Sequence, residues 1–166
     1  MYDTGGTGYY EKRLAFSRIN AAGQPVDTEP ILIYNTVPLG PVYWDMAALG
    51  ADWIVVYNTQ QGDIAAVRLT AAGQAVQPPV ILVPATYYLR GNVRVVCASG
   101  SCLASFSGST GTDAVRFDSN LNVLGGGLFH FTEQSVADIA SNGSDYYMIW
   151  YGQLPDYTQA VFGSRV

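Results

Sequence analysis

The sequence predicts an all-β fold of antiparallel four-stranded units repeated along the chain, and three observations carry that reading. Short runs rich in Val, Ile, Tyr, Phe and Trp alternate with clusters of Gly, Asn, Asp and Pro at intervals of about ten residues. An arginine followed by an apolar residue recurs as Arg18-Ile19, Arg68-Leu69, Arg116-Phe117 and Arg165-Val166, at separations of 50, 48 and 49 residues. No segment sustains an apolar period of 3.6 residues, so no helix is expected.

Each element of the unit is marked by its own chemistry. Strand A is built of small apolar residues and meets a Gly-containing turn, from which an aromatic and β-branched strand B emerges. This hairpin reads Met46-Ala47-Ala48-Leu49-Gly50-Ala51-Asp52-Trp53-Ile54-Val55-Val56-Tyr57 in one copy. It returns around Gly100, followed by Cys102-Leu103-Ala104-Ser105-Phe106, and around Gly143, followed by Tyr146-Tyr147-Met148-Ile149-Trp150-Tyr151. Strand C ends in the repeated arginine. A turn follows, nearly the same in Asn20-Ala21-Ala22-Gly23-Gln24 and Thr70-Ala71-Ala72-Gly73-Gln74 and shortened after Arg116, and then strand D, as in Val80-Ile81-Leu82-Val83.

Four antiparallel strands at a period of about 40–50 residues predict a β-propeller-like array. The units divide the chain into a partial blade over 1–35, blades over 36–85 and 86–133, and a partial blade over 134–166, about three blades incomplete at both ends. The strand order is C-D, A-B-C-D, A-B-C-D, A-B-C. Three repeats do not close a propeller, and open end sheets leave apolar faces and unpaired edges. The expected partners are therefore either further copies of the chain, in a ring or filament, or the remainder of a larger propeller.

The pattern also resembles the blade repeats of large secreted and cell-surface bacterial proteins. Trp53, Trp150 and the four arginines carry the resemblance, which extends over most of the chain. The third copy departs from it at Leu103, where an aromatic is expected. The resemblance implies extracellular binding or scaffold roles with varied ligands and points to no single activity.

Composition narrows the function classes. Apolar residues make up 49% and charged residues 13% of the 166, about half the usual charged share, which excludes a disordered chain. Lys12 is the only lysine, and a net charge of −5 without a basic stripe argues against nucleic-acid binding. No apolar run approaches the length of a membrane span. The start Met1-Tyr2-Asp3-Thr4-Gly5-Gly6 lacks the pattern of a signal peptide. Cys97 and Cys102 flank a short Gly-containing turn, read as four residues long, so they face each other across a hairpin within reach of a disulfide. A disulfide places the chain in an oxidising compartment, outside the cell or on its surface. The alternative is two small buried thiols in a reducing cell.

No constellation for catalysis, metal or cofactor is recognisable. His130 is the only histidine, sits in an apolar run, and has no cysteine or second histidine beside it. No Gly-x-Ser-x-Gly turn supplies a nucleophile. Asp3-Thr4-Gly5-Gly6-Thr7-Gly8-Tyr9 is loosely similar to the Asp-box turn of sialidase-like propellers. It occurs once with its aromatic displaced, and a Gly-rich loop explains it as well. Asp63, Asp113 and Asp156 stand singly in the loops before strand C, which suits turn formation better than calcium. Arg18, Arg68, Arg116 and Arg165, recurring at one phase, suit a structural bridge between units, as Gly50, Gly100 and Gly143 suit the hairpin turns. Tyr9, Tyr10, Tyr87, Tyr88 and Tyr157 are the candidate ligand-binding residues, with edge packing the equal alternative. The expectation is a non-enzymatic extracellular module for self-assembly or surface interaction, its terminal strands finished by a neighbouring chain. The alternative is a carbohydrate-binding propeller using those tyrosines.

Overall fold

The structure, a computed structural model, describes residues 14–33, 43–59, 61–85, 91–108, 111–132 and 136–166. Among them all regular structure is β. The first sheet pairs β1 (Ala15–Phe16) with β2 (Ile31–Leu32). The second runs in order through β3 (Trp44–Leu49), β4 (Asp52–Asn58), β5 (Ile64–Leu69) and β6 (Val80–Val83). The third repeats this with β7 (Arg94–Ala98), β8 (Ser101–Ser107), β9 (Thr112–Asp118) and β10 (Val123–Thr132). The fourth has three strands, β11 (Val136–Ser141), β12 (Tyr146–Gln153) and β13 (Gln159–Arg165). All pairings are antiparallel between strands consecutive in the chain, as tight turns permit.

The sheets stack face to face, and the side-chain period of two assigns each residue to one face. On the second sheet, Val55, Tyr57, Ala65, Val67 and Leu69 are buried against Leu14, Phe16 and Ile33 of the preceding segment. The alternate residues Ile54, Val56, Ile64 and Ala66 point the other way, into a core with Cys102, Ala104, Phe106, Val115 and Phe117 of the third sheet. The third sheet then turns Leu103 and Ala114 toward Ile139, Tyr146 and Met148 of the fourth. Each sheet thus has a trailing face toward its predecessor and a leading face toward its successor. Burial of both faces is why Ile54-Val55-Val56-Tyr57 is an unbroken apolar run rather than an alternating one. Phe106 and Phe117 are fully buried at the central junction, where each contributes about 2–3 kcal/mol of apolar transfer free energy.

The first strands of the large sheets lie beside one another, β3 against β7 and β7 against β11. Asp45 on β3 accepts the backbone N–H of Val95 on β7 at 2.9 Å, which ties the second sheet to the third. Arg94 and Asp138, which stand at the register position of Asp45 in the third and fourth sheets, approach to 3.9 Å at the surface.

One five-residue loop recurs at residues 20–24, 59–63, 70–74, 118–122 and 154–158. In each, the N–H of the first residue donates to the carbonyl of the fifth, and the N–H of the fourth donates to the carbonyl of the first. The fourth residue is left-handed in all five: Gly23, Gly62, Gly73, Leu121 and Tyr157. This corrects two sequence expectations. The turn after Arg116 is not shortened but has the same length as its counterparts, with Leu121 (φ 67°) in the glycine place. The turn between the cysteines is not four residues but two, Ser99 and Gly100, because Ala98 and Ser101 still pair. Both turn residues have positive φ, which matches the right-handed twist of a hairpin.

Candidate functional site

The repeated arginines make different contacts because their sheets offer different partners. In the second sheet Arg68 stands opposite Ile54, two residues beyond Asp52, so its side chain lies beside the hairpin turn. Its Nε and Nη2 reach Asp52 Oδ2 at 2.8 and 2.7 Å, and Nη1 donates to the carbonyl of Ser119 in the third sheet at 2.9 Å. One guanidinium therefore joins a carboxylate of its own sheet to a loop of the next. Gln77 Nε2 donates to the adjacent carbonyl, Asn120, at 3.1 Å.

In the third sheet Ser101 takes the register place of Asp52. Arg116 donates to its Oγ at 3.3 Å and lies over the Tyr146 ring of the fourth sheet, 5.8 Å from the centroid. The Tyr146 hydroxyl completes the junction with Ser101 Oγ at 2.9 Å and the Ala98 carbonyl at 3.3 Å. Arg18 has no strand B beside it among the described residues. It turns to Asp27 instead, with Nε at 3.0 Å from Oδ1 and its own N–H at 2.7 Å from Oδ2. The side-chain hydrogen bond from Arg18, then the backbone one, holds the Asp27 carboxyl below the usual carboxylate range.

The fourth sheet ends the series. Arg165 stands opposite Tyr147, and Asp145 lies two residues before Tyr147, so the pair repeats the register of Arg68 and Asp52. Among the described residues Arg165 forms no ion pair. Its strand neighbours on the leading face are uncovered as well: Tyr147 is 42% exposed, Ile149 44%, Tyr151 62% and Val161 65%. The trailing residues of the same strand, Tyr146 and Met148, are buried. Strand β12 is therefore as apolar as a strand covered on both faces, yet among the described residues only one of its faces is covered. At the other end of the stack, Ala15, Ser17, Ile19 and Leu32 on the trailing face of the first sheet are exposed, Ile19 to 68%.

The remaining candidate residues separate clearly. Cys97 and Cys102 form a disulfide across directly paired positions of β7 and β8. Gly50, Gly100 and Gly143 all lie in the turns between the first and second strands of their sheets. His130 Nδ1 lies 2.9 Å from Oδ1 of Asp113, its register partner. Neighbouring Ser105 pairs with Ala114, and so points to the opposite face from Asp113. Asp63 bonds Thr59 Oγ1 at 3.0 Å and the N–H of Ala85 at 2.8 Å, and Asp156 accepts the N–H of Thr158 at 3.0 Å, so both hold loops. Tyr157 is 82% exposed. Tyr9, Tyr10, Tyr87, Tyr88 and the Asp3–Tyr9 stretch lie outside the described residues. Among the described residues no three His, Cys, Asp or Glu side chains gather as a metal set, and no helix is long and apolar enough to cross a membrane.

No family model, curated protein or solved structure matches this chain.

Proposed function

We propose that this chain is a non-enzymatic extracellular module of the β-propeller type, acting in self-assembly or surface interaction, with its terminal sheets finished by a neighbouring chain. The observation that carries the reading is the leading face of the fourth sheet. Tyr147, Ile149, Tyr151 and Val161 occupy register positions whose counterparts in the second and third sheets, such as Ile54, Val56 and Leu103, are buried against the next sheet. A contiguous apolar face of this kind is a mark of interaction surfaces. The side-by-side first strands and the stacked sheets support the propeller-type arrangement, and the Cys97–Cys102 disulfide fits an oxidising compartment. The His130–Asp113 pair supports a structural reading, since Ser105 lies on the other face of the sheet. Light scattering on the purified chain tests the assembly: a mass above that of one chain is expected, and the 17.8 kDa of a single chain at every concentration would refute it.

Tyr157 favours a second reading, carbohydrate binding, because an exposed aromatic ring in a left-handed loop position has no packing role there. A glycan array on which the wild type and Tyr157→Ala give the same signal removes it.

A further inference from the structure

We infer that a second copy of this chain covers the open face of the fourth sheet, presenting the trailing face of its own first sheet. This deepens the self-assembly proposal and rests on it. The occupant is specified by the contact that the chain already makes with itself at successive junctions. At each one a leading face, built on strands two and three in the second and third sheets and on the β1–β2 segment in the first, meets the trailing face of the next sheet. Among the described residues the fourth sheet presents a leading face with nothing packed over it, and the first presents an uncovered trailing face of Ala15, Ser17, Ile19 and Leu32. At opposite ends of its stack the molecule thus carries the leading half of one more junction and the strand-three and strand-four part of the trailing half.

Register also names the polar contact that would lock it. Arg68 reaches the carbonyl of Ser119, the second residue of the loop at 118–122. The counterpart of that loop in the first sheet is residues 20–24, whose second residue is Ala21. Arg165, in the register place of Arg68, therefore meets the Ala21 carbonyl of the second copy while Asp145 holds its other edge. The strand-three position in the fourth sheet is already filled, because β13 pairs with β12 from Gln159 through Arg165. The second copy accordingly meets a face and does not replace a strand. The contact is heterologous, so its two sides can be blocked separately.

The experiment uses Ile149→Glu, which blocks the leading end, and Ile19→Glu, which blocks the trailing end. Ile19 is 68% and Ile149 44% exposed, so the folded chain has room for a glutamate at each, and circular dichroism checks this; Val161→Glu, at a position 65% exposed, replaces Ile149→Glu if the latter does not fold. Light scattering is expected to give an assembled wild type, two single-chain variants, and a mass of two chains when the variants are mixed, since each retains the face the other has lost. Arg165→Ala is expected to weaken wild-type assembly at least about tenfold. Wild type that assembles while both variants remain assembled overturns this inference and leaves self-assembly standing, through the edge of β13 or elsewhere. Variants that are single chains apart and stay so when mixed also overturn it, because the contact is then not head to tail. A wild type that is a single chain overturns both.

Discussion

Gly23 and Gly73 occupy the same place in two copies of the five-residue loop, with φ of +78° and +84°, and differ only in what stands in front of them. A Cβ added at Gly23 meets nothing within 4 Å, whereas at Gly73 it would overlap the Phe16 ring at Cζ and lie 3.0 Å from Ile31 Cδ1. Alanine at either position costs about 1 kcal/mol for holding an L residue left-handed. Alanine at Gly73 must also drive the Phe16 ring off the second sheet. Forfeiting the burial of a half-covered phenylalanine adds about 1–2 kcal/mol. Gly73→Ala is therefore expected to destabilise the chain by about 2–3 kcal/mol and Gly23→Ala by about 1. Urea unfolding followed by tryptophan fluorescence measures both, and hydrogen exchange over residues 14–33 is expected to rise in Gly73→Ala alone. If the two variants agree within about 0.5 kcal/mol, the first sheet is not packed on the second as described.

Three further outcomes follow from contacts elsewhere. Asp52→Ala is expected to cost about 1–2 kcal/mol, since the half-buried Arg68 loses its charged partner but keeps the Ser119 carbonyl; a double-mutant cycle with Arg68→Met should return a coupling of about 1 kcal/mol, and near-zero coupling would mean that the pair merely coexists. Acid should destabilise the fold. The Asp27 carboxyl is depressed by Arg18 and that of Asp118 by the side chain and backbone of Asn122, so their contribution is present above the ordinary carboxylate range and is lost as pH falls through the depressed values. Thermal melts of Asp27→Asn and Asp118→Asn should then fall less steeply below about pH 4 than those of the wild type. Tyr157→Gly is expected to stabilise by about 1 kcal/mol, because it relieves a left-handed side chain that packs on nothing; an unchanged or lowered melting temperature would show that the ring has a partner.

Much of the strand plan was legible because spacing carries it. The arginine period placed β5 and β9 in equivalent positions, and the small-residue hairpins placed β3–β4, β7–β8 and β11–β12. The Cys97–Cys102 disulfide was legible for the same reason, since residues flanking a tight hairpin turn sit in register. The turn after Arg116 reads one residue short because Val123 invites alignment with Val26 and Val76; by register it takes the place of Pro25 and Ala75, which puts Leu121 in the left-handed place of Gly23 and Gly73. Leu121 adopts that conformation, and its strain is offset by a side chain only 1% exposed in the main core. The partners of the arginines were not legible in detail. Asp52 becomes visible only once strand register is known, and Asp27 serves Arg18 through a local loop that no periodicity marks. Nor could the sequence distinguish a covered face from an open one, because β4 and β12 are equally apolar and the difference lies in what stands beside them. The His130–Asp113 contact was within reach of register reasoning, since both residues sit on neighbouring strands of one unit, but nothing in their sequence spacing signals it.

The fourth position of the recurring loop works as a gauge of the volume ahead of it. Its backbone geometry is nearly constant, so the penalty for a side chain is nearly constant too, and what changes from copy to copy is the return. Where a phenylalanine ring presses in, only hydrogen fits, as at Gly73. Where two sheets leave a hollow, a leucine fills it, as at Leu121. Where solvent begins, a tyrosine projects freely, as at Tyr157. Substituting that one position through all five loops would map, residue by residue, how tightly each end of the stack is enclosed.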